Sequence, residues 1–304
     1  MMKRTINFMG VRNIAFAITM LLTFIALGSW FFQGLNFGLD FTGGTQIELR
    51  YEKPVDLNQV REQLKGAGFE DAVVQSFGAT TDVVVRLRGD DQQLGGRVVE
   101  ALQAADAGNL IKDKKVEFVG PQVGEELRDQ GGLGMLLALG GILIYLAFRF
   151  QWKFAVGAIA SLVHDVVVTL GILSFFQITF DLTVLAAVLA IIGYSLNDTI
   201  VVFDRVRENF RVLRKASLVE NINISTTQTL LRTMATSIST LLAIVALLLF
   251  GGDNLFGFSI ALFVGVLAGT YSSIYIANVV LIWLNLSSED LIPPAASAEV
   301  DERP

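Results

Sequence analysis

Six stretches of the chain are apolar over lengths that can cross a bilayer: 14–32, 133–150, 154–176, 182–203, 231–250 and 256–286. A helix needs about 20 apolar residues to span the hydrocarbon core. Each stretch therefore predicts a transmembrane helix, and the last is long enough to tilt or to extend beyond the bilayer. Between the first and second stretches the pattern changes. "TQIELRYE" alternates with a period of two, as a strand does. "DLNQVREQLKGAGF" carries Leu57, Val60 and Leu64 at helical spacing behind Asp56, a plausible N-cap. "AVVQSFG" and "TDVVVRLR" predict two strands joined around "AT". "QQLGGRVVEALQAAD" predicts a helix weakened by Gly95 and Gly96, and "KKVEFVG" a last strand.

The order βαββαβ points to an α+β ferredoxin-like sandwich, four strands with two helices on one face. The expected layout is a cytoplasmic N-terminus at 1–13, a first membrane helix at 14–33, the sandwich at 34–130 and helices two to six within 131–286. A polar tail at 287–304, with "PP" and "AASAEVDERP", is expected to be disordered.

Composition agrees with a polytopic α-helical membrane protein. The chain is 53% hydrophobic and 17% charged, against about 45–50% and about 25% in soluble domains. It contains no cysteine, which excludes disulfides and thiolate-bound metals. The net charge of −6 decides little, since charges on opposite sides of a membrane meet different partners. The placement of Lys and Arg decides more. Lys3, Arg4 and Arg12 precede span one, Arg149 and Lys153 lie between spans two and three, and Arg205, Arg207, Arg211, Arg214 and Lys215 follow span four. The short loops "QITFD" and "GGDN" have none. The basic loops thus share one side, expected to be the cytoplasm, with both termini there and the sandwich outside. Bulky "SWFFQ" follows span one in place of a small-residue cleavage site, so that span is expected to remain as a signal anchor.

No phosphate loop, dinucleotide fingerprint or H-E-x-x-H motif is present, so nucleotide hydrolysis and zinc proteolysis are not expected. The remaining chemistry lies in ionisable groups inside spans, each costing about 2.5–3.5 kcal/mol at a helix centre on the insertion scale. Asp198 lies some five residues inside the drawn end of span four, in a stripe with Tyr194 and Asn197 expected to face inward. Proton binding and an interfacial or helix-cementing role both fit it. Arg232 opens span five at a similar depth. It either snorkels to the interface or pairs with Asp198. His164 and Asp165, near the middle of span three, suit a proton relay or a packing bond. Gly265, Gly269, Ser273 and Ala277 recur every four residues and predict a close-packed helix face. "GLDFTGG", with Gly38, Asp40, Gly43 and Gly44, reads as a structural joint, Asp40 ordering the turn through its own backbone bonds.

"NFGLDFTGGT", "FVGPQVGEEL", "LVHDVVVTLGIL", "IGYSLNDTIVVFDRVRENF" and "TLLRTMATSISTLL" together resemble the SecF family of the bacterial Sec translocation machinery, across nearly the whole chain. The resemblance implies a half-transporter of the resistance–nodulation–division (RND) type that pairs with SecD and works beside the SecYEG channel in the inner membrane. It implies use of the proton-motive force to draw unfolded secretory chains outward, with H+ as coupling ion and no cofactor, metal or nucleic acid. The family's proton path falls on Asp198 and Arg232, with His164, Asp165, Asn197 and Tyr194 in support. Three other readings remain: an intramembrane aspartyl protease using Asp165 and Asp198, a passive scaffold, and an RND-type small-molecule exporter.

Overall fold

The computed structural model describes residues 5–287 and 290 apart from 78, 90, 92, 107 and 214. Lys3, Arg4 and Arg214, and the tail beyond residue 290, lie outside the described residues. In chain order the elements are α1 (Arg12–Gln33), β1 (Asn36–Phe37), α2 (Leu39–Thr42), β2 (Gly44–Tyr51), α3 (Leu57–Gly66), β3 (Val73–Phe77), β4 (Ala79–Leu87), α4 (Leu94–Ala105) and β5 (Ile111–Val119). There follow α5 (Pro121–Arg149), α6 (Trp152–Phe175), β6 (Thr179–Phe180), α7 (Leu182–Val212), α8 (Leu218–Phe250), α9 (Phe256–Ile274) and α10 (Ile276–Trp283).

Among the described residues, six helical stretches are long and apolar enough to cross a membrane. Hydropathy placed them but misjudged where the helices end. The helix expected at 133–150 starts at Pro121, that expected at 182–203 runs on to Val212, and that expected at 231–250 starts at Leu218. Hydropathy marks the bilayer, whereas backbone hydrogen bonding continues through polar residues wherever side chains support it. At α8, Ser217 caps the start by accepting from the Glu220 N–H, and Asn221, Ser225 and Thr229 are buried along the polar first turns. Asn209 on α7 donates to Ser225 Oγ (2.8 Å) and Gln228 Oε1 (3.0 Å), and the Met9 N–H donates to Asn223 Oδ1 (2.9 Å). The sixth stretch changes helix at Tyr275, where Asn278 Nδ2 donates to the carbonyls of Ser273 and Ile274.

Within this membrane unit α6 is the most enclosed helix and α5 the least. Small residues let its neighbours approach. Gly171 of α6 packs on Ala26 of α1, and Gly157 lies against the Ala277 carbonyl of α10. Phe150, Phe154 and Phe203 form one aromatic cluster below the basic side chains of Arg149 and Arg207. The start of the supposed disordered tail is ordered: Lys153 Nζ donates to Asp290 Oδ2 at 2.7 Å and holds that carboxyl below its usual range.

The second unit, residues 36–136 with 179–185, contains the sandwich. Its strands run β3-β4-β2-β5, all antiparallel, with β2 central against β4 and β5. Thr45, Ile47, Leu49 and Tyr51 point to the buried face of β2, while Gln46, Glu48 and Arg50 point away. Val60, Leu64, Val98, Val99 and Leu102 of α3 and α4 close over that face. This is the ferredoxin-like arrangement. The boundary expected at 34–130 missed β6: Asn36 and Phe37 pair in parallel with Thr179 and Phe180, so "QITFD" contributes to this unit.

Burial, and secondarily the charge of Asp106, push the Tyr51 phenol up to about 12. An unfolded phenol titrates near 10. Between those values the unfolded chain loses a proton that the folded chain keeps, so stability falls as pH rises, by about 2–3 kcal/mol near pH 12. The hydroxyl is buried and makes no hydrogen bond. Tyr51→Phe should therefore cost less than about 1 kcal/mol at neutral pH. Melting curves of wild type and variant in detergent, from about pH 8 to about pH 11.5, should diverge, with the variant declining less. Parallel curves would contradict this assignment.

Candidate functional site

Two carboxylates lie buried in the membrane unit, and their surroundings differ. Asp165 of α6 is 1% exposed and Asp198 of α7 is 3% exposed. Asp165 Oδ2 accepts from Ser195 Oγ of α7 (2.5 Å) and from Ser272 Oγ of α9 (2.7 Å). Its Oδ1 lies 3.1 Å from His164 Nδ1. Ser161 Oγ donates in turn to Ser272 Oγ at 2.8 Å. The bond read as a packing alternative for Asp165 is thus present, and it joins three helices. The sequence reading missed Ser195 and Ser272. Ser161, four residues before Asp165, was a legible sign of a polar face on α6; partners on other helices carry no such spacing.

Asp198 has no such set of donors. Its Oδ2 is buried and accepts no hydrogen bond. Arg232 of α8 lies close enough for its charge to act on Asp198. Among the described residues no ion pair within 4.0 Å includes Arg232, whose side chain is exposed. The pair is therefore coupled through space rather than joined. A buried carboxylate with an unfilled oxygen beside a movable cation can take up a proton, or meet the cation directly, with little rearrangement around it.

The expected inward stripe is only partly inward. Ile191, Ser195 and Asp198 are buried, whereas Asn197 is exposed and Tyr194 half-buried. Adjacent helix positions are about 100° apart, so Asn197 and Asp198 point in different directions. Tyr194 turns toward α8, where its hydroxyl donates to Ser237 Oγ at 3.3 Å, and Ser237 bonds Thr270 of α9 at 2.7 Å. Asp198 also lies far from the end of α7, which runs to Val212, and Arg232 lies well inside α8.

The small-residue face meets α7. A Cβ on Gly265 would strike Ile191, and one on Gly269 would lie 3.0 Å from the Ser195 Cβ. Ser273 instead donates to the Thr270 carbonyl in its own helix, and Ala277 faces α6. His164 keeps Nε2 unpartnered and lines an apolar cleft of about 380 Å³ with Thr19, Val279 and Trp283.

In the second unit, Gly43 and Gly44 have positive φ (62° and 111°), a region that glycine tolerates. Gly38 permits close approach, since a Cβ there would lie 3.1 Å from Asp181. Asp40 does not order its own turn as expected. Its Oδ2 accepts from the Leu182 N–H at 2.9 Å, at the start of α7.

Comparison with known proteins bears on this arrangement. The family described as "Protein export membrane protein SecD/SecF, C-terminal" matches residues 98–287, and the SecD/SecF GG motif matches 28–55. The chain is 77% identical over 300 residues to the protein translocase subunit SecF of Pseudomonas aeruginosa, covering 99% of this chain and 98% of that one. It is 43% identical over 307 residues to SecF of Escherichia coli O157:H7, covering 99% and 95%. The crystal structure of SecDF from Thermus thermophilus, a translocon-associated membrane protein, matches at 40% identity and a TM-score of 0.84. That match covers 93% of this chain and 39% of the longer SecDF chain.

The Gly265 contact yields a direct test of the α7–α9 packing. Gly265→Ala should destabilise the protein by about 1–3 kcal/mol, because the methyl group must displace Ile191. Ile191→Ala alone should cost about 2–5 kcal/mol, and the double variant should lose less than the sum of the two single losses. Thermal unfolding in detergent measures all three, and additive losses would contradict the contact.

Proposed function

Since this chain belongs to the SecD/SecF family of protein-export membrane proteins, on the SecF side, we propose that it couples a proton gradient to protein export, with Asp198 as the proton-binding group. One observation carries the reading. Asp198 is buried, leaves an oxygen unfilled and feels the charge of an exposed arginine that it does not touch. Protonation would cancel the attraction to Arg232 and loosen one tie between α7 and α8, while the Tyr194–Ser237 and Asn209–Ser225 bonds remain. Deprotonation would restore it. A charge carried through the full membrane field is worth about 2.3 kcal/mol per 100 mV. One or two protons therefore suffice to bias a two-state rearrangement.

The same reading places the chain in the bacterial inner membrane, with the basic loops cytoplasmic and the sandwich periplasmic. Its partners would be SecD, the SecYEG channel and an emerging unfolded polypeptide. The exposed flanks of α5 and α8 are apolar, which suits lipid and a partner subunit. Asn197 and Arg232, both exposed here, would face that subunit. The aspartyl-protease alternative is disfavoured, because Asp165 spends its oxygens on Ser195, Ser272 and His164 rather than on Asp198.

Asp198→Asn in a membrane containing the SecD partner should assemble normally and lose the gradient-dependent part of secretion. Undiminished gradient-driven export would refute the role of Asp198. Arg232→Lys keeps the charge but loses the planar fork. Full activity there would point to simple charge, and loss of activity to a directed contact in another state of the cycle.

A further inference from the structure

β1 and β6 form a ladder of only two residues each, Asn36 with Thr179 and Phe37 with Phe180. Even an isolated hairpin of ordinary length is marginally stable in water. Here one side chain bridges both strands. Arg86, on β4 of the sandwich, donates from Nη1 to Asn36 Oδ1 (2.8 Å) and from Nη2 to Thr179 Oγ1 (2.6 Å). Its Nε donates to Gln46 Oε1 of β2 at 2.8 Å, which fixes the guanidinium plane. The charges of Asp181 and Glu48 act on it as well. A planar fork can serve two acceptors in fixed directions, as a lysine cannot.

The ribbon leads straight into α7. The Gly38 N–H donates to the Phe180 carbonyl at 2.9 Å, and Phe41 stacks on Phe180 with ring centroids 5.7 Å apart. Asp40 and Asp181 then meet orphan amides of the first turn of α7. Asp40 accepts from Leu182, and Asp181 accepts from the Val184 N–H (2.8 Å) and the Thr183 hydroxyl (2.7 Å). Carboxylates at a helix N-terminus satisfy those amides and favour the helix dipole. Asp198 lies about four turns further along the same continuous helix.

We propose that Arg86 is a positioning residue: it staples β1 to β6, keeps Asp40 on the first turn of α7, and so fixes the outer end of the helix that carries Asp198. The staple holds through the working cycle, so that the first turn of α7 and the sandwich stay joined. This inference rests on the proposed proton-coupled export for its functional readout, and its structural readout is independent of that reading.

The test uses the absence of native cysteines, which leaves an engineered pair as the single possible bridge within the chain. Paired strands place backbones about 4.7–4.9 Å apart, within the usual Cα range of a disulfide. Asn36→Cys with Thr179→Cys removes the two acceptors that Arg86 has on the ribbon and leaves Gln46. In the reduced form, and in Arg86→Ala, the amides of Leu182 and Val184 should exchange at least about tenfold faster, while the central strands of the sandwich stay protected. Gradient-dependent export should fall alongside. Oxidation of the pair should restore protection and export, also when Arg86→Ala is added, and reduction should abolish them again. Arg86→Lys should be intermediate.

Wild-type exchange and export in both Arg86→Ala and the reduced pair would overturn the proposal. So would an oxidised, folded protein that stays inactive, since the ribbon would then have to open in the cycle. Failure of the proton reading has a different signature: Asp198→Asn would export normally, while the exchange of Leu182 and Val184 would still report on the staple.

Discussion

A carboxylate enclosed by membrane helices is costly without donors, and the way Asp165 finds them organises the membrane unit. Bilayer hydrocarbon offers no hydrogen bonds, so the cost of an unmet oxygen falls on the helix packing. Asp165 recruits a serine from α7 and another from α9. To bring Ser195 and Ser272 within reach, α9 must approach α7 closely, and the glycines at 265 and 269 make that approach possible. The polar requirement and the small-residue face are therefore two sides of one constraint. Neither helix could move away without exposing an unsatisfied group.

Against that anchored centre, Asp198 stands out by what it lacks. It is nearly as buried as Asp165, yet one oxygen has no donor and the nearby cation is exposed. An anchored carboxylate and an unanchored one on facing helices divide the labour naturally. The first holds α6, α7 and α9 together, and the second takes no part in that hold. Tyr194, Ser237 and Thr270 add a separate hydroxyl chain joining α7, α8 and α9.

Two stretches of the second unit lie next to membrane helices in the chain, one after α1 and one before α7. Both are built around the same short ribbon. The glycine-rich segment supplies close approach at Gly38 and positive φ at Gly43 and Gly44, while Asp40 reaches the first turn of α7. The structural joint is a compact turn held by aromatic stacking and by charged groups. Its order comes from a strand and a loop far apart in sequence, β4 and the residues before α7.

Six membrane helices, the βαββαβ order and the burial of Asp165 and Asp198 were legible in the sequence. They depend on local periodicity and on the cost of charge in an apolar run, and both are properties of neighbouring residues. The ends of α5, α7 and α8 were not legible, because hydropathy reports the bilayer while helix ends answer to caps and to partners such as Asn209 and Ser225. The outward turn of Asn197, the serines that meet Asp165 and the path from Arg86 to α7 were decided only in three dimensions. They join residues tens to more than a hundred positions apart, and a hydrogen bond between such residues leaves no period in the chain. Sequence determined which groups had to be satisfied; tertiary structure decided which of them were, and left Asp198 with an open oxygen beside a cation.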